Sequence, residues 1–354
     1  MPNQGCYCVC LHPTNLFPLL QVQEISIDYT NCNTTAPQAR LNYDPSQGND
    51  LEPIPADRVS AKFSQSMKTA PQWGWAREQY NFSSGVTQDT NVCILSIDIP
   101  NDIKPPILFY YRLTNFYQNH RRYVKSVDIQ QLKGNVRTAA DLSSGDCNPL
   151  DVAPNGKPYY PCGLIANSMF NDTFGNLTLD NAVQDANGNE INFYNMTVEG
   201  TSWAHEGDLY GKTKYKPDDV VPPPNWQEQY PNGTYGDSLP NLHTWEQFQV
   251  WMRTAGLPTF SKLYQRNDND VLRQGTYRLK IYDRTMPPTI LCSTTKLTCS
   301  RLSRREVQGH QVHSHLDPHR HGWQEPVPRH CLPCRWRALH SARCCVPRRA
   351  SHQA

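Results

Sequence analysis

The strongest constraint on this chain is a set of short segments in which apolar and polar residues alternate. In residues 21–29, Ile25 and Ile27 fall on one face of an extended chain, and Ser26 and Asp28 fall on the other. A period of two residues is the pattern of a β-strand with one buried face. The same pattern recurs in residues 93–99, 107–113 and 276–283 and twice within 176–200. The chain is therefore predicted to be mainly β.

Residues that interrupt regular structure separate these segments. The 354 residues include 29 Pro and 19 Gly, and residues 212–226 contain three consecutive prolines, which exclude both helix and sheet interior. Residues 31–91 are polar and repeatedly broken by Pro, Gly and Asn, so they are predicted to form one long excursion from the sheets.

Two segments have the spacing of a short helix. Residues 116–126 are predicted to be helical after an N-cap at Thr114 or Asn115. Residues 245–255 carry an apolar stripe, and Thr244 would form a capping box with Gln247 at their start. The predicted fold class is therefore mainly β with inserted helices (α+β).

The charge of the chain is divided unevenly. Residues 301–354 carry ten Arg, no Lys and three acidic residues, whereas residues 1–300 carry 24 basic against 29 acidic residues. A nucleic-acid partner requires basic side chains clustered on a folded surface. The body of the chain offers no such cluster, so no nucleic-acid partner is predicted.

Six Asn-x-Ser/Thr sequons indicate a glycosylated surface outside the cytoplasm. They lie at Asn33, Asn81, Asn171, Asn176, Asn195 and Asn232. Four cysteines stand far apart in the body of the chain, at Cys32, Cys93, Cys147 and Cys162. They have neither C-x-x-C spacing nor nearby His, so no metal or other cofactor is predicted. Two interpretations of these cysteines remain open. They are four unrelated buried thiols, or they form disulfides in the oxidising compartment that the sequons indicate.

Catalytic signatures are absent from the sequence, which lacks G-x-S-x-G, Walker, H-E-x-x-H and G-x-G-x-x-G motifs. Asp218, Asp219 and Glu199 are interpreted as solvated surface acids rather than an acid/base pair. The basic run at residues 120–122 would bind an anion or solvate one face of a helix. Three tryptophans would stack on sugars or anchor loops: Trp203, Trp226 and Trp245. The chain is predicted not to be an enzyme.

Three long blocks of sequence resemble a known family. They are IPNDIKPPILFYYRLTNFYQNHRRYVKS (99–126), PCGLIANSMFNDT (161–173) and WMRTAGLPTFSKLY (251–264). They closely resemble the accessory (β) subunits of type-IV P-type ATPases, the phospholipid flippases. QVQEISIDY (21–29) and KTKYKPDDVVPPPNW (212–226) look like the fungal branch. Together the resemblance covers roughly residues 21–285.

The resemblance implies a two-pass membrane protein with a large glycosylated ectodomain. This ectodomain would be an antiparallel β-sandwich with long loops, without catalytic residues, that accompanies the ATPase catalytic subunit out of the endoplasmic reticulum and supports its activity. The subunit would interact with phospholipid only through its complex with the ATPase catalytic subunit. The membrane would be that of the endoplasmic reticulum, Golgi, endosome or cell surface, with this domain lumenal or extracellular. By the same resemblance, Cys147 pairs with Cys162, Cys32 pairs with Cys93, and Asn171 is glycosylated.

The two ends of the chain depart from the family pattern. Both membrane helices of the family are missing. Residues 1–20 are an atypical segment in place of the first helix, and residues 21–295 are predicted to be the ectodomain. Residues 296–354 are predicted to be a disordered tail translated out of frame. If the codons of residues 323–331 are read one base out of frame, the first shifted codon must encode Gly, and the following codons can encode Lys-Asn-Pro-Phe-Leu-Gly-Ile-Ala. The family has GGKNPFLGIA at this place. Other interpretations of the tail are a basic disordered segment or a zinc site at Cys331 and Cys334.

Two alternatives from other classes remain. One is a secreted carbohydrate-binding or cell-wall β-sandwich glycoprotein, and the other is a secreted hydrolase. Both predict a cleavable signal peptide in the DNA upstream, whereas the flippase interpretation predicts an uncleaved membrane helix there.

Overall fold

Two β-sheets form the framework of the protein, which a computed structural model describes over residues 22–41, 50–184, 190–284 and 294–300. The strands are β1 (Glu24–Asp28), β2 (Glu52–Pro53), β3 (Val59–Lys62), β4 (Gln72–Asn81), β5 (Thr87–Ile99), β6 (Ile107–Thr114), β7 (Thr173–Phe174), β8 (Leu177–Gln184), β9 (Glu190–Tyr194), β10 (Phe260–Asn267), β11 (Gly275–Asp283) and β12 (Thr294–Ser300). The helices are α1 (Cys32–Thr35), α2 (Arg121–Lys125), α3 (Ile129–Leu132), α4 (Ala139–Ser143), α5 (Leu164–Asn167) and α6 (Glu246–Met252). The segment 1–20 and the tail from 301 onward lie outside the described residues.

The ladders between these strands are antiparallel. The first sheet has the order β10-β6-β12-β1-β3, and the second has the order β2-β4-β5-β11-β8-β9, with β7 beside β11. In the first sheet Glu24 of β1 lies opposite Ser300 of β12, so β1 begins where β12 ends. The domain boundary predicted at residue 295 falls inside β12, and the sheet extends to Ser300. The three threonines of this segment favour extended backbone.

The first hydrophobic core fills the space between the two sheets. Ile25 and Ile27 of β1 are buried there, and so are Leu95 of β5 and Leu279 and Ile281 of β11. Along β1 and β11 these inward residues alternate with less buried ones, as the sequence pattern predicts. In β5 the prediction of one buried face is wrong: residues 92–99 are all buried, because the second face packs in a small separate core with Leu51 and Ala76. The prediction of a mainly β fold with antiparallel sheets and a few helices is confirmed.

The prediction of one long excursion over residues 31–91 is wrong. β4 runs for ten residues and pairs with β5 over its whole length. Its first half is buried on both faces, and a Cβ on Gly74 would lie 2.6 Å from the Leu51 side chain. Burial on both faces removes the alternation of period two, so this strand carries no clear signal in the sequence.

Both predicted helices are present but shorter than their sequence patterns. The N-cap predicted at Thr114 or Asn115 is wrong, because Asn115 has a left-handed φ of 59° and α2 begins only after His120. The capping box predicted for α6 is also absent: its N-cap has no side-chain hydrogen bond, and the Thr244 hydroxyl donates to the carbonyl of Asn241 instead. The His120 side chain caps α2 instead, by accepting from the backbone N–H of Arg122.

Much of the loop sequence folds around a second, largely aromatic core. We call residues 127–169 and 210–252, which surround this core, the loop lobe. The buried members are Leu132, Tyr160, Ala166, Tyr210, Tyr215, Val220, Trp226, Tyr230, Tyr235, Leu242 and Phe248. The buried Gln131 supports the lobe: its amide donates to the Tyr159 carbonyl (2.9 Å) and accepts from the backbone of Cys162 (2.8 Å).

The start of α5 lies directly against the end of α2, and Gly163 permits this approach. Gly163 has a φ of +97°, and a Cβ there would lie 2.1 Å from the carbonyl oxygen of Ser126. The Ser126 hydroxyl accepts from the backbone N–H of Leu164 (2.9 Å). Gly156 also has a positive φ of +80°, but nothing lies within 4 Å of a Cβ there.

We expect Gly163→Ala to lower the free energy of unfolding by more than Gly156→Ala. Gly156→Ala places a side chain at positive φ, which costs about 1–2 kcal/mol. Gly163 combines a φ of 97° with a ψ of 169°, a region essentially restricted to glycine, and an alanine there also pushes a backbone oxygen out of its position. Urea unfolding of the oxidised protein measures both values. Equal losses in the two variants would show that the contact with Ser126 is unimportant.

Candidate functional site

The three sequence blocks that carry the family resemblance meet at one place, which we call the block junction. The indole N–H of Trp251 donates to the Ile165 carbonyl in α5 (2.8 Å). Its ring lies 5.7 Å from that of Phe116, measured between centroids. On the other side of the junction Tyr111 and Phe170 stack with their centroids 3.9 Å apart. Residues more than 80 positions apart in sequence therefore share one packed centre.

Polar contacts support the same junction. The Tyr123 hydroxyl lies 2.8 Å from that of Ser168, and burial raises the pKa of Tyr123 to about 12. The fully buried Gln118 accepts from the backbone N–H of Ala255 (2.9 Å), and Asn119 donates to the Gly256 carbonyl (3.0 Å). Residues 118 and 119, which lie in the first half of the predicted helix, therefore bind the segment that follows α6.

A buried lysine, not predicted from the sequence, closes the C-terminus of α6. The ammonium of Lys262 donates to the carbonyls of Val250 (2.9 Å) and Trp251 (3.3 Å), and to that of Arg253. Burial, helped by the nearby Arg253 charge, lowers the pKa of Lys262 to about 7. Lys262 lies on the inward face of β10, between apolar residues on the same face. A lysine in such a position is the sequence signal that could have identified it. Its donors all serve backbone carbonyls, so its role is structural.

The structure joins the cysteines in the two pairs that the family resemblance implies. Cys32 is bonded to Cys93, with Cα atoms 5.9 Å apart, and Cys147 is bonded to Cys162, with Cα atoms 5.7 Å apart. The first bridge fastens α1 to the central strand β5, and the second closes a loop within the loop lobe. Each bridge is buried.

The six predicted glycosylation sites fall into two groups by exposure. Asn81, Asn176, Asn195 and Asn232 are exposed. Asn33 is half-buried in α1, and Asn171 is half-buried between Phe170 and Asp172, which are both buried. Glycosylation remains a prediction at all six sites.

Asn171 lines a cleft between the first core and the loop lobe. Tyr111, Phe170, Trp251 and Tyr264 line it from the first core, Trp226 and Trp245 line it from the lobe, and its polar residues include Asn171, Asp172, Asn225, Glu228, Gln247 and Arg284. Its enclosed volume is about 110 Å³, and on the same measure a single water needs about 10–15 Å³. The cleft therefore has room for a group several waters in size.

Two carboxyl groups and one guanidinium line the polar end of this cleft, and a third carboxyl, that of Asp283, lies near Asp172. The Asp172 carboxylate accepts from the Tyr29 hydroxyl (2.7 Å) and from the backbone N–H of Arg284 (3.1 Å). Burial, followed by the nearby charge of Asp283, raises the pKa of Asp172 to about 7. Burial also raises the pKa of Asp283 and of Glu228. This acidic group has no signature in the sequence, because its carboxyls come from three separate places: the residue before β7, the end of β11 and the loop lobe.

Arg284 provides the positive charge of this group. Its guanidinium donates to the Thr173 hydroxyl (2.9 Å) and lies 4.5 Å from the Tyr80 ring and 4.3 Å from the Phe82 ring. Cation–π contact of this kind fixes the guanidinium without neutralising it. The acidic group therefore contains more carboxyl groups than cationic groups.

The other residues considered for chemistry have structural or surface positions. Asp218, Asp219 and Glu199 are exposed, and Asp219 accepts from the backbone N–H of Lys216 to cap a short turn. His120 is the N-cap of α2 and accepts from the backbone of Arg122. Within the described part of the chain, no group of three His, Cys, Asp or Glu residues is placed to hold a metal ion.

We expect the stability of this protein to fall as the pH rises from about 4 to about 7. The raised pKa means that Asp172 keeps its proton in the folded state, whereas in the unfolded chain it loses it near its ordinary value of 3.8. Over that window the folded state binds more protons, so the free energy of unfolding falls by at most about 1.4 kcal/mol per pH unit. Above about pH 7 the contribution of Asp172 is lost, and the part of the pH dependence that Asp172 causes levels off.

Thermal unfolding of the wild type and Asp172→Asn across pH 4–8.5 tests this expectation. The amide of the variant does not titrate, and the Asn171 sequon is preserved. The variant should lose most of the pH slope in this window. An unchanged slope would assign the dependence to other groups.

Comparison with known proteins adds to this geometry. The LEM3 (ligand-effect modulator 3)/CDC50 family model matches residues 16–285. The chain is 40% identical over 259 residues to the phospholipid-transporting ATPase accessory subunit CRF1 of Saccharomyces cerevisiae, covering 73% of this chain and 59% of that protein. It is 40% identical over 267 residues to the accessory subunit CDC50 of Chaetomium thermophilum, covering 73% and 62%. LEM3 of Saccharomyces cerevisiae is 36% identical over 266 residues, covering 74% and 59%.

The matched region includes every element of the block junction and both disulfides. The chain spans 59% to 62% of the length of the first two relatives. Among the described residues, no helix is both long and apolar enough to cross a membrane. The family resemblance of the three sequence blocks is confirmed, and the chain belongs to the LEM3/CDC50 family.

Proposed function

We propose that this chain is a non-catalytic accessory subunit of a phospholipid-transporting type-IV P-type ATPase. In this role it assists the exit of the catalytic subunit from the endoplasmic reticulum and supports its transport activity. The domain described here is lumenal or extracellular, at the membrane in which the ATPase works. Membership of the LEM3/CDC50 family, and relatives named as accessory subunits of such ATPases, support this proposal.

One structural observation favours this role above others: the first and last strands of the domain open at the same end. Glu24, at the start of β1, lies opposite Ser300, at the end of β12. A domain held by membrane segments at both termini needs this arrangement. We call the loops at this end (residues 63–71, 100–106 and 268–274) the proximal face.

The register of the strands assigns these loops to one end. Lys62 at the end of β3 lies opposite Glu24, Asn267 lies opposite Ile107, and Gly275 lies opposite Ile99. Ile103 and Leu272 pair across two of the loops and are buried. The proximal face is therefore a braced surface rather than a set of separate loops, and it is the surface that we assign to the catalytic subunit.

The absence of catalysis is part of the proposal. The unusual ionisable groups of the described domain are either bonded to backbone, as Lys262 is, or enclosed with each other, as Asp172 and Asp283 are. None of them combines with a nucleophile and an oriented base of the kind that a serine or cysteine hydrolase uses. The secreted hydrolase is therefore less well supported than the accessory subunit.

The cleft beside Asn171 is the one feature that favours the alternative, a carbohydrate-binding wall glycoprotein. Its aromatic rings and side-chain amides suit a sugar ring. However, similarity to three proteins named as ATPase accessory subunits extends over more than 70% of the chain. The accessory subunit is therefore the better-supported function.

We expect Val271→Asp on the proximal face to reduce association with the catalytic subunit several-fold. Val271 is 38% exposed, and an aspartate there would place a charge in the proposed contact. Leu257→Asp is the matched control, because Leu257 is 69% exposed near the start of β10, at the opposite end of the sheet. Co-purification with the ATPase from a host lacking its own accessory subunits measures both. Equal association of both variants would remove the proximal face from the proposal.

We also expect the reading frame of the tail to decide whether the chain associates with its partner. Two versions of the protein are compared. The first is the chain as it stands, with residues 301–354 unchanged. The second has a membrane helix added upstream and the region of residues 301–354 translated in the shifted frame. Only the second should co-purify with the ATPase, restore fluorescent-lipid uptake and allow the enzyme to leave the endoplasmic reticulum, because membrane helices raise the effective concentration of the domain at its partner. Rescue by both versions would contradict the frame hypothesis, and rescue by neither would contradict the proposed function.

A further inference from the structure

The sequon at Asn171 differs from the exposed ones in its surroundings. Asn171 is half-buried and lines the cleft between the first core and the loop lobe, whereas Asn176, five residues later, is exposed. Phe170 and Asp172, on either side of Asn171, are both buried. A glycan on Asn171 would therefore begin at the cleft.

The residues around Asn171 have the chemistry that binds a sugar ring. Trp226 already donates its indole N–H to the Ala166 carbonyl (3.0 Å), so only its ring face is available to a ligand. Trp245 lies 5.6 Å from Trp226, between ring centroids, and is half-buried at the mouth of the cleft. Aromatic faces of this kind pack against the C–H groups of a pyranose.

Polar side chains complete the lining. Among the described residues, no hydrogen bond uses the side chains of Asn225, Gln247 or Glu228, although all three line the cleft. Two amides and one carboxyl supply the donors and acceptors that sugar hydroxyls and an N-acetyl group require. The cleft thus combines flat apolar walls with hydrogen-bonding groups that have no partner within the described chain.

We infer that the cleft holds the first N-acetylglucosamine of a glycan on Asn171, wedged between the sheet and the loop lobe. The sugar stacks on Trp245 and Trp226 and bonds to the amides of Asn225 and Gln247, and the rest of the glycan extends into solvent. The inference rests on the lumenal placement in the proposed function and on occupancy of Asn171. It gives this glycan a structural role that glycans on exposed sequons lack.

The physical consequence is a bridge between two cores that otherwise meet mainly at the block junction. Tyr111 and Tyr264 on one wall belong to the first core, and Trp226 on the other wall belongs to the second. A sugar between these walls excludes water from both and covers the raised-pKa carboxyls of Asp172 and Glu228. Loss of the sugar would leave the cleft hydrated and the lobe less firmly held.

Site-resolved deglycosylation of the native glycoprotein, produced in the endoplasmic reticulum of a eukaryotic host, tests the inference. Peptide-N-glycosidase must reach the first sugar, and mass spectrometry follows its release from each asparagine. We expect release from Asn171 at least tenfold more slowly than from Asn232, which is exposed, with equal release from both after denaturation. Comparable native rates at the two sites would overturn the inference.

Variants at Trp245 separate sugar contact from simple crowding. Trp245→Ala should accelerate release from Asn171 and leave the rate at Asn232 unchanged, whereas Trp245→Phe, which keeps an aromatic face, should preserve the slow release. If Trp245→Ala fails to fold, a second measurement decides. Trimming the wild type to one sugar per site should leave its melting temperature unchanged, while Asn171→Gln should lower it and Asn232→Gln should not.

The occupancy pattern distinguishes failure of this inference from failure of the proposed function. A bare Asn171 with glycans on the exposed sequons would overturn the inference and leave the accessory-subunit role intact. A chain without glycan at any of the six sites would contradict the lumenal placement itself. A melting temperature that is unaffected by Asn171→Gln would also overturn the inference.

Discussion

The rest of the packing depends on the insertion of Trp251 between the β-sandwich and the loop lobe. Its side chain is fully buried, its ring contacts Phe116, and its indole N–H is satisfied by the Ile165 carbonyl. Removing a buried aromatic of this size costs about 3–5 kcal/mol, a large share of the stability of an ordinary domain. Because Trp251 and Ile165 both lie in the loop lobe and Phe116 follows β6 of the sandwich, this one side chain joins the lobe to the sandwich.

Backbone groups in long loops have no ladder partners, and buried polar side chains take over that function here. Gln131 serves the backbone at Tyr159 and Cys162, and Lys262 serves the end of α6. An unsatisfied buried group costs about 1–3 kcal/mol, so such residues stabilise the loops even though they contribute little apolar burial. The bridge between Cys147 and Cys162 adds about 3 kcal/mol for its loop of 15 residues in the chain-entropy model. Ordered loops of this length are thus consistent with an oxidising compartment.

These interactions leave the described domain with two ends of different composition. The ends of the sheet have separate characters: the proximal face gathers the loops next to the first and last strands, and the opposite end carries α2 and Leu257. The cleft at Asn171 lies at the seam of the two cores. A sandwich with a separately packed lobe is consistent with the accessory-subunit role proposed above.

The sequence alone determined the strands that are buried on one face, because alternation at Ile25 and Ile27 depends only on the local pleat. It also carried the family blocks and, through them, the cysteine pairing. It did not reveal β4, whose burial on both faces erases the alternation, nor the start of α2, which the left-handed Asn115 delays. Only the tertiary structure decided that Asp172 and Lys262 are buried charges and that Asn171 lines a cleft. Such properties arise from segments distant in sequence, and no local pattern encodes the walls that a folded neighbour provides.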